Sequence, residues 1–173
     1  MEYLIVEKPS IVRREKRAIE QQLGVKVSVS GKTVSLDGSA FDEFVASRVV
    51  EALALGFTLK QALTLRDEDR VFRRIHIRDF TRRKELRDVR SRLIGREGKT
   101  KRTIEEISDC DVIISESDVG IIGGAAEVES AMQAAINIIR GTKQANAYRY
   151  LERMNTEKKK YGDSLGLRMR TKK

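Results

Sequence analysis

The chain is poor in the residues from which many catalytic and metal sites are built. Among its 173 residues there is one cysteine, Cys110, and one histidine, His76. A single cysteine cannot form an internal disulfide, and a single histidine leaves no Cys/His cluster for a structural zinc ion. A Ser/His/Asp or Cys/His arrangement for nucleophilic catalysis is not expected for the same reason. We therefore predict no enzyme activity, no metal site and no cofactor.

Long apolar runs are missing as well. No stretch of about 18 apolar residues occurs, so no membrane-spanning helix is predicted. Residues 1–7 are too few and too acidic for a secretory signal peptide, and their pattern predicts a strand instead. Together with the lone cysteine, these absences predict a protein of the reducing cytoplasm that does not bind membranes.

Positive charge is abundant and unevenly distributed. The net charge of +9 is the sum of a neutral segment (residues 1–72), a segment of +9 (73–102), one of −7 (103–142) and one of +7 (143–173). A concentrated basic surface attracts polyphosphate backbones and accelerates their capture. The alternative interpretation is a solvated charged surface without a ligand.

The chain contains an internal repeat. An ungapped offset of 85 residues aligns residues 19–56 with 104–141, and nine positions are identical. In both copies two short apolar/polar alternations predict a hairpin, and apolar residues at helical spacing follow until Gly56 or Gly141 ends the helix. The two hairpins are each preceded by a helical stretch, at about 13–23 and 99–108.

The repeat predicts an α+β fold with the order strand, helix, helix, strand, strand, helix in each copy. The first strands are expected at 3–7 and 71–77, and the second copy shows a further helical piece at about 86–94. Each unit would form a three-stranded antiparallel sheet with helices on one face. The predicted division is a first unit at 1–57, a linker at 58–70, a second unit at 71–142, and a C-terminal helix (about 145–160) with a basic tail at 143–173. Since the linker has no Pro/Gly/Ser run, the two units are expected to pack on each other.

The most informative motif is the segment Gly95-Arg96-Glu97-Gly98, which lies between two predicted helices in the basic segment. A sugar–phosphate backbone can approach a main chain closely only where no side chain blocks it, and this is how a KH module clamps about four nucleotides. The start of the next helix supplies N–H groups and partial positive charge. The bases would then lie on an apolar groove beside the loop.

The residues predicted to bind RNA include the loop, its flanking cations and the groove: Ile94, Gly95, Arg96, Glu97, Gly98, Lys99, Thr100, Lys101, Arg102, Ile104, Val112 and Ile114. A glycine-capped helix turn without a ligand is the structural alternative. An NTPase phosphate-binding loop is disfavoured, because that motif needs a glycine at position 93, where this chain has leucine.

The remaining candidate residues favour ordinary structural roles. His76 alternates with isoleucines and is expected on the polar face of a strand. Cys110 aligns with Val25 of the first copy and is expected in the core. Four carboxylates straddle a strand and a turn without EF-hand spacing, so a solvated surface is predicted for them: Asp109, Asp111, Glu116 and Asp118.

Four segments of the sequence resemble those of a known protein family. The segments 51–63, 92–106, 119–123 and 148–153 resemble those of archaeal Pno/Dim/Krr-type KH proteins of small-ribosomal-subunit assembly. The resemblance implies two tandem type I KH domains and binding near the 3′ end of small-subunit rRNA or its precursor. It also implies work with the Nob endonuclease and with the alpha subunit of translation initiation factor two in rRNA processing.

Two departures qualify the resemblance. Ser10 and Arg13 stand where the second unit has its two loop glycines, so the first unit is expected to lack the clamp and to serve packing or protein contacts. Its candidate secondary RNA contacts are Arg13, Arg14, Lys16 and Arg17. Residues 144–146 also differ from the pattern of the relatives before the tyrosine. The alternative function is a KH-fold scaffold for protein interaction with little RNA binding of its own.

Overall fold

The protein is described here by a computed structural model, and the structure describes residues 1–164. The first half contains β1 (Glu2–Ile5), α1 (Pro9–Leu23), β2 (Lys26–Ser30), β3 (Thr33–Asp37), α2 (Ala40–Leu55) and the short α3 (Leu59–Leu63). The second half contains β4 (Arg70–His76), α4 (Leu86–Ile94), α5 (Lys99–Ser108), β5 (Asp111–Ile114), β6 (Asp118–Gly124), α6 (Ala125–Arg140) and α7 (Gln144–Ser164). Residues 165–173 of the predicted basic tail lie outside the described residues.

The strands form two three-stranded antiparallel sheets with the same order. In the first sheet β3 lies between β1 and β2, and in the second β6 lies between β4 and β5. Leu36 pairs with Val27, and Ile121 pairs with Val112, so the central strand of each sheet places its apolar side chains beside those of the hairpin partner. The predicted α+β class and both predicted hairpins are confirmed.

The first unit follows its sequence signals closely. Pro9 occupies the first turn of α1, where its missing N–H leaves no hydrogen bond unmade, and Gly24 caps the other end. Ser39 caps α2 by accepting a hydrogen bond from the amide of Asp42 at 3.2 Å, and Gly56 ends that helix. Both helices cover one face of the sheet, where Val34 is fully buried.

One prediction for the first unit was wrong. A single helix, α1, lies between β1 and β2, so the order is strand, helix, strand, strand, helix rather than the order with two consecutive helices. The reason is chain length: only residues 6–8 separate β1 from α1, whereas residues 77–98 separate β4 from α5. That longer connection holds α4 and the Gly95–Gly98 segment.

The second unit has its core between the sheet and helices α4, α5 and α6. α7 joins this core, because Ala147 and Leu151 are buried among its apolar residues. Asn155 of α7 donates a hydrogen bond to the carbonyl of Ile107 at the end of α5. The C-terminal helix is therefore packed on the second unit rather than projecting from it.

The two units pack on each other through the outer face of the second sheet. Phe72 and Ile122 from that face belong to the core of the first unit, and the rings of Phe57 and Phe72 meet edge to face at a centroid distance of 6.1 Å. Gln61 of α3 donates to Asp111 of β5 at 3.2 Å. β6 is consequently buried on both faces, and the predicted contact between the units is confirmed.

Two kinds of feature are missing from residues 1–164. None of the helices in this range combines the length and the apolar character that a membrane span requires. The same residues contain no group of three or more His, Cys, Asp or Glu side chains placed to hold a metal ion.

Candidate nucleic-acid interface

Two short helices of the second unit, α4 and α5, meet at the loop Gly95–Gly98. α4 buries Val89 and Leu93 against the core, and α5 buries Ile104. Arg92 anchors the end of α4 by donating to the carbonyl of Thr142, at 2.8 Å, in the turn between α6 and α7. The loop therefore projects from a fixed base.

The two glycines of the loop have different structural roles. Gly95 has φ +76° and ψ 175°, and a Cβ built there would lie 2.2 Å from the Thr100 Oγ1 and 2.7 Å from the Thr100 amide nitrogen. Gly95 is thus required for the close packing of Thr100. Gly98 also has positive φ, +75°, but the nearest atom to a Cβ built there is the Arg102 Nε at 4.0 Å. The open approach to the main chain that the sequence predicted at both corners is present at Gly98.

Two hydrogen bonds hold the backbone of the loop in its conformation. Glu97 is a non-glycine residue with φ +53°, which is uncommon for a residue with a Cβ. Arg102 donates a hydrogen bond to the Glu97 carbonyl at 2.8 Å, and the Gly98 amide donates to the Gly95 carbonyl at 3.2 Å. These two hydrogen bonds hold the loop in one conformation, and a preorganised loop lowers the entropic cost of binding.

The cations around the loop differ in how far they are neutralised. Lys101 lies 3.0 Å from the carboxylate of Glu105, so its charge is already compensated. Arg96, Lys99 and Arg102 are exposed, and none of them forms an ion pair within residues 1–164. These three cations are the ones available to phosphate oxygens.

The apolar part of the predicted site is only partly at the surface. Ile94 is 37% exposed and Ile114 is half-buried, so both can contact a ligand. Ile104 and Val112 are 2% and 4% exposed and form the core behind the groove, and Thr100 is buried against Gly95. These three residues are enclosed by packing that positions the loop, and RNA contact by them stays a prediction.

The first unit has cations at positions that align with the loop region of the second unit. Ser10 and Arg13, which align with the two loop glycines, lie inside the continuous helix α1, so the first unit has no such loop. Arg13 and Arg17 are exposed, whereas Arg14 and Lys16 pair with Glu15 at 2.8 Å and Glu20 at 3.7 Å.

Asp118 corrects another sequence-based expectation. It is buried rather than solvated, and it accepts hydrogen bonds from Arg74 at 2.9 Å and Ser117 at 2.7 Å and lies 3.0 Å from the Nδ1 of His76. Burial alone would raise the pKa of the Asp118 carboxyl, but these partners outweigh it and lower the pKa to about 2. Cys110 is buried as predicted, and burial raises the pKa of its thiol to about 11.

The sequence is similar to those of known KH-domain proteins. Residues 71–156 match the model of a family described as eukaryotic type KH-domain (KH-domain type I). A KH domain-containing protein of Methanocaldococcus jannaschii is 32% identical over 145 residues, covering 80% of this chain and 64% of that protein. The pre-rRNA-processing protein PNO1 of Candida albicans is 26% identical over 143 residues, covering 73% of this chain and 49% of that protein. The chain thus spans about half to two thirds of the length of these relatives.

A solved structure shares the fold. A chain from the a/eIF2alpha–aDim2p–rRNA complex of Pyrococcus horikoshii superposes with a TM-score of 0.83 at 28% sequence identity. The match covers 90% of this chain and 94% of that one, so it includes both sheets and their helices.

Proposed function

The chain belongs to the KH-domain proteins of the Pno1 and Dim2p type, and we propose that it is a non-catalytic RNA-binding factor of small-ribosomal-subunit assembly. In this proposal the second unit holds single-stranded rRNA or its precursor near the 3′ end of the small-subunit rRNA. The loop Gly95–Gly98 grips the backbone, and the groove edged by Ile94 and Ile114 receives the bases.

The observation that carries the proposal is the geometry at Gly98. The main chain there is open to solvent at the start of α5, and uncompensated cations stand on both sides of it, Arg96 before and Lys99 and Arg102 after. A phosphate at this corner would meet the positive end of a helix and fixed positive charge together. Glu97 is the one acidic side chain of the loop.

We propose further that the second unit is a KH domain of type I, that the first is a KH-like unit without the first of the two helices, and that the two units have different functions. The sheets have equivalent strand orders, and α1 and α2 match α5 and α6 in the 85-residue offset. The first unit lacks the helix and loop that grip RNA, so we assign it to packing and protein contact, with Arg13 and Arg17 as secondary phosphate contacts. Arg14 and Lys16 would have to leave their carboxylate partners to contribute.

The partners proposed for the chain come from its relatives. The Dim2p protein of P. horikoshii is found in a complex with a/eIF2alpha and rRNA, and we propose the corresponding partners here. The Nob endonuclease is a further proposed partner, which rests on the family resemblance alone. We propose accordingly that the chain acts in rRNA processing in the cytoplasm of an archaeal cell.

The test compares two variants at one position. Gly98→Asp and Gly98→Asn introduce side chains of nearly equal size at a positive φ that both residues tolerate, and only the first adds negative charge. We expect Gly98→Asp to weaken binding of single-stranded RNA at least about tenfold at physiological salt. We expect Gly98→Asn to weaken it much less. Thermal unfolding of both variants by circular dichroism provides the folding control.

Three outcomes separate the hypotheses. A loss with Gly98→Asp that exceeds the loss with Gly98→Asn supports the loop as an electrostatic clamp. Unchanged RNA affinity in Gly98→Asp contradicts it. If the wild-type chain retains no single-stranded RNA but captures a protein partner stably, the scaffold function replaces the RNA-binding one.

A further inference from the structure

A second basic surface of the second unit includes the segment that precedes α4 in the sequence. A cleft there is lined by Arg78, Asp79, Phe80, Thr81, Arg82 and Arg140. Three of these six residues are arginines, and Asp79 is the one acidic residue among them. The arginines come from the turn after β4, from the segment before α4 and from the last residue of α6, so the fold brings them together from distant parts of the sequence.

Contacts within the cleft position the arginines without neutralising them. The guanidinium of Arg140 stands over the ring of Phe80 at 5.5 Å from the centroid, and Arg78 donates to the carbonyl of Lys84 at 3.3 Å. None of the three arginines forms an ion pair within residues 1–164. Their charge is therefore available to an external anion.

The cleft is linked to the base of the Gly95–Gly98 loop by a contact described above. Arg92, in the last turn of α4, donates to the carbonyl of Thr142 at 2.8 Å, and Arg140 of the cleft lies two residues before Thr142. Arg87 and Arg90 lie three positions apart, hence on one side of this helix. Arg87 is exposed and Arg90 is half-buried. α4 thus adds positive charge to the surface that holds the loop and the cleft, and Asp88 is the one acidic residue of this helix.

From this arrangement we propose that the cleft of Arg78, Arg82 and Arg140 is a second phosphate-binding site for the same RNA strand that the Gly95–Gly98 loop grips. The inference rests on the proposed function and extends it. The loop and groove of a KH module accommodate about four nucleotides, so the cleft would engage only RNA that is longer than this. Phosphodiester groups are the ligand, because planar guanidinium groups bind them bidentately and with little dependence on base sequence.

The experiment measures binding of two single-stranded RNAs, a tetranucleotide and a strand of about twelve nucleotides. The triple variant Arg78→Gln, Arg82→Gln, Arg140→Gln is compared with Lys26→Gln, Lys32→Gln, Lys60→Gln, which removes the same charge from exposed positions of the first half. We expect the arginine triple to lower affinity for the long strand at least about tenfold. The slope of log affinity against log salt should become shallower by about 2, since each phosphate contact with a single strand contributes about 0.7.

Two further variants guard against local misfolding. Arg82→Gln with Arg83→Gln removes two exposed side chains that make no side-chain hydrogen bond within residues 1–164, and it should still lower affinity for the long strand. Replacing all three arginines with lysine keeps the charge and should keep most of the salt slope. Affinity for the tetranucleotide should be unchanged in every variant of the cleft.

The result that would overturn the inference is equal binding of the long strand by the wild type and the arginine triple. An equal loss of affinity in the control variant Lys26→Gln, Lys32→Gln, Lys60→Gln would also overturn it, because the effect would then reflect net charge. These outcomes are distinct from failure of the proposed function, in which Gly98→Asp leaves binding of both RNAs unchanged. Binding of an acidic peptide by the cleft, without binding of the long RNA there, would likewise contradict the inference.

Discussion

The carboxylate of Glu105 accepts a hydrogen bond from the backbone amide of Val112 at 2.9 Å, and so ties α5 to the edge strand β5. The first unit contains the same contact at the same distance, between Glu20 of α1 and the amide of Val27 in β2. The two pairs are related by the 85-residue offset of the sequence repeat. The side chain that ties α5 to its sheet therefore has a counterpart in the first unit, which lacks the loop.

Removing the carboxylate at this position should destabilise the second unit. Glu105→Ala leaves the amide of Val112 without its acceptor, and we expect a loss of about 1–3 kcal/mol in the free energy of unfolding. Glu105→Gln keeps an acceptor oxygen and gives up only the ion pair with Lys101, so its loss should be smaller. Urea unfolding of the two variants measures the difference, and equal losses would show that the ion pair rather than the hydrogen bond matters.

The two loop glycines should respond differently to the same change. Gly95→Ala places a methyl group against the backbone of Thr100 in a region of φ and ψ that is essentially restricted to glycine, and we expect a loss of about 3 kcal/mol or more. Gly98→Ala meets open space and bears only the cost of positive φ, about 1–2 kcal/mol. Thermal or urea unfolding decides the matter; a loss at Gly98 equal to that at Gly95 would contradict the division of roles.

The contact between the two units depends on the absence of a side chain at Gly120. A Cβ there would lie 2.3 Å from Leu55 and 2.8 Å from Phe57, so Gly120→Ala should cost about 1–3 kcal/mol through overpacking. Adding Leu55→Ala removes one of the two clashes, and the double variant should be more stable than the sum of the single losses predicts. Leu23→Ala, elsewhere in the first core, serves as the additive control. Strict additivity with Leu55→Ala would place the two residues out of contact.

The pH dependence of stability should report on Asp118. Its pKa is lowered to about 2 in the folded protein, so its contribution of about 2 kcal/mol is complete above the unfolded pKa near 4 and disappears as the pH falls to about 2. Urea unfolding of wild type and Asp118→Asn should therefore differ most above pH 4 and converge toward pH 2. Glu106→Gln, at an exposed position, should show no such convergence. A constant difference across this range would contradict the assignment.

The sequence predicted those elements whose signals are local. The bounds expected for the helices at 86–94 and 99–108 agree with α4 and α5, and the end expected at Gly141 agrees with α6, because apolar spacing and terminal glycines mark them. α1 begins earlier than predicted, at Pro9, although a proline in the first turn is itself a helix-start signal. The expected second helix of the first unit came from the symmetry of the repeat, and the short connection after β1 excludes it.

The parts of the site that the sequence did not predict depend on tertiary contacts. Asp118 is surrounded by side chains of β4 that lie more than forty positions earlier, so no local pattern marks it as buried. The burial of Thr100 follows from the conformation at Gly95, which a motif alone does not specify. Arg140 meets Phe80, which lies sixty positions earlier, and only the folded chain brings that cleft together.

The burial of β6 on both faces has a consequence for how the protein works. Sliding of one unit against the other would expose Phe72 and Ile122 to water, so the two halves are held at one orientation. In the function proposed above, an RNA strand on the second unit and a protein on the first would therefore be kept at a constant separation. The molecule would then act as a rigid spacer between its two partners.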